Sequence, residues 1–238
     1  MIPWLDPGDP FPPTSKALRQ PNGLLAAGAD LTPARLIEAY SHGVFPWFNA
    51  DEPVLWWSPD PRMVLFPAEL KVAQSLKKVI RNREYEMRFD TAFTRVMHGC
   101  AQPRKGQAGT WISPAMIEAY TQLHDRGIAH SAETWMDGEL VGGLYGVALG
   151  RMFYGESMFT EVTDASKIAL VHLVWQLRRW GFGLIDCQMK TAHLSRFGAR
   201  EIPRGDFIRR VSKLIQYSST SAPWRFDPDI KLELEADA

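Results

Sequence analysis

The chain has 238 residues, 45% of them hydrophobic and 23% charged, and its 27 basic side chains balance its 27 acidic ones. A chain of this size and composition can bury a substantial core, which excludes a wholly disordered or collagen-like protein. Its apolar runs are far shorter than the roughly 20 residues of a membrane span, and its start lacks the apolar region of a secretion signal. We therefore expect a cytoplasmic protein that makes no membrane contact.

Basic side chains are concentrated in two parts of this neutral chain. Residues 71–105 contain nine bases and three acids, and residues 196–213 contain six bases and two acids. Residues 1–62 have the opposite balance, with four bases and seven acids. A local basic surface can hold a polyanion such as a nucleic acid. Solvated helix faces give the same pattern, so charge alone leaves both interpretations open.

The first elements are predicted from prolines and glycines. Residues 1–31 show little periodicity and are expected to run irregularly over a surface. Thr32 and Pro33 provide a hydroxyl cap and a first-turn proline for a helix that ends at Gly43.

A domain boundary is predicted near Arg62, where the proline density drops. It separates a small N-terminal domain, residues 1–62, from a larger domain, residues 63–238. Helices are predicted next at residues 70–82 and 91–100.

The larger domain is predicted to contain a mixed sheet. After residue 113 we expect a helix, three strands, a long helix, a short strand and two helical segments. Their predicted bounds are 114–126, 129–136, 139–149, 151–159, 164–180, 184–189, 192–197 and 205–217. An Asp-Gly turn at residues 137–138 favours a hairpin between the first two strands. A meander, a crossover helix and one more strand make the fold class α+β, with helices on a mixed sheet.

The predicted strand IDCQM, residues 185–189, carries the first candidate for chemistry. Strand side chains alternate, so Asp186 and Gln188 are expected to share one face. A carboxylate beside a carboxamide at the end of an inner strand is poor core material and is typical of a ligand site. The alternative is that Asp186 caps the following turn and Gln188 pairs with backbone.

Glu156 is a second candidate, because it lies in FYGESMF, a predicted strand that is otherwise apolar or small. A glutamate that faces the sheet needs a cationic or hydrogen-bonding partner. A ligand amino group would serve, and so would an arginine of the protein.

Loop tryptophans are a third candidate. Trp47 and Trp111 could stack on the bases of a single-stranded nucleic acid end. They could equally join the two domains by packing, and packing is the interpretation that we favour for Trp56 and Trp57.

Other chemistries lack their motifs. The six histidines show no HExxH or Cys/His ligand spacing, and two cysteines cannot form a zinc site alone. Cys187 is expected on the strand face opposite Asp186, which disfavours a thiol nucleophile activated by that carboxylate. We expect neither a metal nor a cofactor.

Eight stretches between about residue 21 and residue 203 together resemble the leucyl/phenylalanyl-tRNA–protein transferase family. They are PNGLLAAGADLTPARL, GVFPWF, LWWSPDPR, GTWIS, ELVGGLYGVALG, GESMF, ASKIAL and LIDCQ. The resemblance implies an enzyme that moves leucine or phenylalanine, and less readily methionine, from aminoacyl-tRNA to an N-terminal arginine or lysine of a protein. That addition marks the protein for N-degron proteolysis. It also implies an acetyltransferase-like (GNAT) fold for the larger domain, and we expect a monomer.

The resemblance further implies which residues form the site. Asp186 and Gln188 would be the catalytic pair, and the terminal adenosine would lie against Trp47 and Trp111. Glu156 would lie close to the reacting amino acid. Two tyrosines are implied near the adenosine and five residues in the side-chain pocket, namely Tyr40, Tyr120, Leu144, Phe153, Leu173, Leu177 and Ile185. The basic segment 71–105 would seat the tRNA acceptor stem through Lys71, Lys77, Lys78, Arg81 and Arg83.

Two schemes remain open for the pair. In one, the Gln188 oxygen accepts a hydrogen bond from the acceptor amine, while Asp186 orients that amine and supplies the basicity. In the other, Asp186 grips the basic acceptor side chain, and a ribose hydroxyl or water carries the proton. A CoA-dependent acyltransferase is disfavoured, because MFTEVTDASK, residues 158–167, lacks the glycines of a pyrophosphate loop. A non-catalytic module that binds RNA ends is the remaining rival.

Overall fold

A four-stranded sheet forms near the amino terminus of the computed structural model, which describes residues 2–49, 51–103 and 110–230. Its strands are β1 (Trp4–Leu5), β2 (Leu24–Gly28), β3 (Phe45–Pro46) and β4 (Leu55–Trp57). They are arranged in the order β1-β2-β4-β3, with β1 parallel to β2 and the other pairs antiparallel. Helix α1 (Pro33–Ser41) begins as predicted, because the Thr32 side chain accepts a hydrogen bond from the Arg35 amide.

The rest of the described chain builds a seven-stranded sheet. Its strands are β5 (Arg62–Leu65), β6 (Glu86–Phe89), β7 (Ala129–Met136), β8 (Glu139–Leu149), β9 (Met152–Thr160), β10 (Leu184–Asp186) and β11 (Arg200–Ile202). Their order is β11-β5-β10-β9-β8-β7-β6. Only β9 and β10 are parallel neighbours in this sheet. The α+β class with a mixed sheet is therefore confirmed.

Helices cover both faces of the large sheet. They are α2 (Gln74–Asn82), α3 (Phe93–Cys100), α4 (Pro114–Asp125), α5 (Ala165–Arg179), α6 (Ala192–Arg196) and α7 (Arg204–Leu214). Helix α5 is the predicted crossover from β9 to β10. Because side chains alternate along β8, Leu144 packs into the core that contains α5, and Tyr145 packs into the core that contains α3 and α4. Within the described ranges, no helix is long and apolar enough to cross a membrane.

Several predicted bounds were wrong. Residues 1–31 are not irregular throughout, since they include β1 and β2. The helix predicted from residue 70 begins at Gln74, and the strand predicted to reach residue 189 ends at Asp186. The strand ends because Gln188 adopts a left-handed backbone with φ of 54°. The short strands β5, β6 and β11 were not predicted, because three or four residues carry too little alternation.

Candidate active site

A cavity of about 950 Å³ opens where β9 and β10 part. The parallel pairing of the two strands ends at Tyr154 and Asp186, and the residues that follow these two positions in the chain line the cavity. Nine of the residues predicted for the site contribute to its wall, namely Trp47, Trp111, Leu144, Phe153, Glu156, Leu173, Ile185, Asp186 and Gln188. The structure thus brings together residues from three strands, one helix and three loops.

Three predicted substrate residues lie behind this wall rather than on it. Tyr40 and Tyr120 are fully buried and do not line the cavity, and their hydroxyls contact Glu156, which does. Leu177 is fully buried in the core beneath α5. These residues support the cavity through other side chains.

Asp186 is completely buried and forms an ion pair with Arg62, which is also completely buried. Arg62 Nε donates to Asp186 Oδ1 at 2.8 Å, and Arg62 Nη2 donates to Oδ2 at 2.6 Å. The geometry is bidentate, the strongest form of this contact. Both carboxylate oxygens are therefore occupied by donors of the protein itself.

Gln188 lies two residues further on and is partly exposed. Its backbone amide donates to Asp186 Oδ1 at 3.0 Å, which holds the left-handed turn. Its side-chain Nε2 donates to the Gly155 carbonyl at 2.9 Å. That bond fixes the orientation of the carboxamide and leaves its oxygen available as an acceptor.

Glu156 is held by two tyrosine hydroxyls rather than by an arginine. Tyr40 donates to Glu156 Oε1 at 2.7 Å. The Tyr120 hydroxyl lies 3.4 Å from Oε2 and forms a short hydrogen bond with the Tyr40 hydroxyl. The pKa of Glu156 is raised to about 8. Burial is the main cause and the charge of Asp186 adds to it, while the tyrosine hydrogen bonds and Arg62 oppose the rise. The carboxyl is therefore mostly protonated at pH 7.

The two cavity tryptophans differ from their neighbours in β4. Trp47 is 40% exposed, and Trp111 is partly exposed on the same cavity. Trp56 is completely buried and donates from Nε1 to the Gly28 carbonyl at 2.9 Å. Trp57 donates to the Trp47 carbonyl at 2.6 Å, so it supports the loop that presents Trp47. The packing interpretation of Trp56 and Trp57 agrees with these contacts.

An apolar wall faces the polar groups. The predicted Leu144, Phe153, Leu173 and Ile185 form part of it, and sequence reasoning missed Met158 and Leu170. Both residues lie on elements that were predicted, but only the structure shows that their side chains point into the cavity.

Neither cysteine is placed for nucleophilic chemistry. Cys100 and Cys187 are both buried and free, and both line the cavity. Burial raises the pKa of the Cys187 thiol, with a further rise from Asp186, so the thiol stays protonated. Among the residues that the structure describes, no group of three or more His, Cys, Asp or Glu side chains could hold a metal ion.

The predicted tRNA-binding bases lie on and around α2. Lys71, Lys78 and Arg81 are exposed, and Lys77 and Arg83 are partly exposed. The opposite side of this helix is anchored in the core by buried leucine and isoleucine side chains. The last two bases of the basic segment, at residues 104 and 105, lie outside the described residues.

Sequence reasoning missed Arg62 as a site residue and used it only as a boundary marker. A signal was present, because a single arginine precedes the apolar run MVLF at residues 63–66. An arginine inside such a strand needs a buried acid, and Asp186 on another apolar strand is the matching partner. Only the pairing of β5 with β10 shows that the two strands are neighbours.

Comparison with known proteins identifies the family. The sequence model of the leucyl/phenylalanyl-tRNA protein transferase matches residues 64–212, and the model of its N-terminal domain matches residues 29–60. The leucyl/phenylalanyl-tRNA–protein transferase of Nitrosospira multiformis is 65% identical, covering 95% of this chain and 98% of that relative. The transferase of the same name from Nitrosomonas europaea is 62% identical, covering 95% and 96%. A GCN5-related N-acetyltransferase from Kribbella flavida is 9% identical, covering 69% of this chain and 59% of its own, with a TM-score of 0.37. On the sequence matches, this chain belongs to the leucyl/phenylalanyl-tRNA protein transferase family.

Proposed function

We propose that this protein transfers leucine or phenylalanine, and less readily methionine, from aminoacyl-tRNA to the N-terminal arginine or lysine of a protein. The modified protein is thereby marked for N-degron proteolysis. The observation that carries the proposal is the cavity at the end of β10, which is lined by apolar side chains and by the Gln188 carboxamide. The family of the chain agrees with this use of the cavity. The enzyme acts in the cytoplasm, as a monomer and without a cofactor.

The proposed architecture assigns a domain to each sheet. Residues 1–62 form a small N-terminal domain, and residues 63–238 form a catalytic domain of the GNAT type. The order of a meander, a crossover helix and a parallel strand in β7 to β10 supports this assignment.

The chemistry required is modest, because the donor ester is already activated. The acceptor α-amine has an ordinary pKa of about 7.7–8.0, so a useful fraction is neutral at pH 7. The enzyme must hold this amine against the ester carbonyl, remove a proton and stabilise the oxyanion. Gln188 is proposed to accept a hydrogen bond from the amine through its free side-chain oxygen.

Asp186 is proposed to orient Gln188 rather than to take the proton. Its two oxygens already accept hydrogen bonds from Arg62, and Oδ1 also accepts one from the Gln188 amide. The ribose hydroxyl of the donor or a water molecule then carries the proton. Complete burial of Asp186 also counts against its contact with the acceptor side chain.

The aminoacyl end is proposed to lie across the cavity. The adenosine stacks between Trp47 and Trp111, while the amino acid enters the apolar wall around Leu144 and Phe153. One methylene is worth only about 1–3 kcal/mol in such a wall, so leucine, phenylalanine and methionine are all accepted and charged side chains are excluded. Glu156, held by its tyrosines, receives the amino group of the donor.

Reversing the charge of two lysines is expected to weaken tRNA binding. In the double variant Lys77→Glu with Lys78→Glu, the slope of log tRNA affinity against log salt concentration should become less steep, by about 1–2. Filter binding across a salt series measures this. A matched reversal of Lys16 and Arg19, exposed bases near the amino terminus, should leave the slope unchanged. An equal salt slope in both variants would mean that the α2 lysines are exposed to solvent and do not contact tRNA.

The proposed function is tested by a transfer assay with Leu-, Phe- and Met-tRNA against peptides that begin with arginine, lysine or alanine. Wild-type protein should modify the first two peptides and not the third. Gln188→Ala should lower transfer by roughly 100-fold or more while tRNA retention persists. Gln122→Ala, on the exposed side of α4, is the control and should transfer normally. Acetyl-CoA turnover without tRNA would identify the rival acyltransferase, and tRNA binding without transfer would identify an RNA-end module.

A further inference from the structure

Arg62 lies at the meeting point of several elements around the cavity. It is completely buried on β5, and beyond its two bonds to Asp186 it donates from Nη1 to the Gly43 carbonyl at 3.2 Å. Its guanidinium lies between two rings, 4.7 Å from the centroid of Phe45 and 4.6 Å from that of Phe207. One side chain thus contacts β10, the loop after α1, β3 and α7.

Two of these contacts lead directly to the cavity wall. Phe45 lines the cavity and is followed two residues later by Trp47. Asp186, through Oδ1, accepts a hydrogen bond of 3.0 Å from the amide of Gln188, which adopts a left-handed conformation that is unfavourable for a non-glycine residue. The same Gln188 places its carboxamide by donating to Gly155. The position of the reactive carboxamide therefore depends on the carboxylate that Arg62 orients.

Stability alone does not account for this ion pair. Taking two charges out of water is unfavourable, and apolar side chains of similar volume often stabilise a fold as well or better. A bidentate pair fixes the plane of the carboxylate, which an apolar contact or a lysine cannot do. The geometric role is the property that only the arginine supplies.

We propose that Arg62 is a positioning residue for the transfer reaction: it fixes the Asp186 carboxylate and, through it, the turn that presents Gln188 to the acceptor amine. This inference rests on the proposed function of the cavity. It assigns Arg62 no contact with substrate and no proton transfer.

Arg62→Lys tests the geometry while keeping the charge. Its single ammonium cannot form the two parallel bonds, so kcat should fall by roughly 100-fold, the cost of a displacement of about 1 Å at a reacting group. Because the tRNA surface is untouched, the affinity for Leu-tRNA should stay within about threefold of wild type. The matched control is Arg35→Lys, another buried arginine stacked on an aromatic ring, which does not line the cavity. This control should retain kcat, whatever its stability.

Arg62→Ala adds a readout that a structural role would not move. Guanidinium ion at a non-denaturing concentration should bind in the space that the side chain leaves. It can form the same two parallel hydrogen bonds to Asp186, so kcat should rise at least about tenfold. Sodium chloride of equal ionic strength should not restore it, and guanidinium should not accelerate the wild type.

Wild-type kcat in Arg62→Lys would overturn the proposal, and so would a folded Arg62→Ala that guanidinium fails to rescue. Loss of cooperative unfolding in both variants would assign Arg62 to stability alone and would also overturn it. If the wild type itself transfers no amino acid to any peptide, the proposed function fails, which is a distinct result.

Discussion

Replacing Glu156 with glutamine is expected to remove a pH dependence of folding stability. The pKa of Glu156 rises from an ordinary 4.5 to about 8 in the folded protein, mainly because of burial. Between these values the folded chain keeps a proton that the unfolded chain has released. Stability therefore falls as the pH rises through this window, by about 1.4 kcal/mol per pH unit for one proton.

The measurement is the free energy of unfolding in urea at several pH values between 5 and 7. At each pH, the free energy of unfolding of Glu156→Gln is subtracted from that of the wild type. The difference cancels the other titrating groups and leaves the pH dependence that this single carboxyl contributes. Glu118→Gln, an exposed change on α4, is the control and should give no such slope. A flat difference for Glu156→Gln would show that the carboxyl is already ionised in the folded protein at these pH values, contrary to its raised pKa.

Gly146→Ala is expected to destabilise the protein by about 3 kcal/mol, because the backbone of β8 has no room for a methyl group there. A Cβ at this position would lie 2.2 Å from the Tyr154 carbonyl oxygen and 2.5 Å from Phe153 Cζ. Gly146 sits opposite Gly155 at a register shift between β8 and β9. Neither neighbour can move freely, since one is strand backbone and the other is a buried ring.

The Phe153 ring could move away from the added methyl group only toward the cavity that it lines. We therefore expect Gly146→Ala to reduce transfer of phenylalanine more than transfer of leucine, as the wall moves inward. Urea unfolding measures the first effect and paired Leu-tRNA and Phe-tRNA assays measure the second. Gly205→Ala is the control, because its nearest atom is 3.6 Å away and it lies in helix α7. A loss below about 1 kcal/mol for Gly146→Ala would mean that β8 and β9 can separate locally.

The central elements could be predicted because their signals are local. The hairpin of β7 and β8, the strand β9 and the crossover α5 each span eight residues or more, and caps, glycines and alternation mark their limits. The short strands β5 and β11 exist only through pairing with distant segments. No local pattern distinguishes three or four such residues from a loop.

Part of the site was visible in the sequence for a similar reason. Asp186, Gln188 and Glu156 are polar residues in apolar stretches, which is unusual enough to be noticed. Their pairings were not predicted, because Arg62 reaches Asp186 and Tyr40 reaches Glu156 from segments 124 and 116 residues away. The prediction that Asp186 and Gln188 lie side by side on one strand face also assumed a regular strand, which ends before Gln188.

The hydroxyl of Tyr40, on α1, reaches Glu156 on β9, while its own carbonyl accepts from Tyr154 at 2.8 Å. Together with the bond from Arg62 to the Gly43 carbonyl, these contacts join α1 and the loop after it, which connect β2 and β3 of the first sheet, to the residues around the cavity. During synthesis that sheet leaves the ribosome well before β9 and β10. A nascent chain therefore has no complete active site until both segments have emerged. A fragment that lacks the first 60 residues should be inactive even if its larger sheet folds.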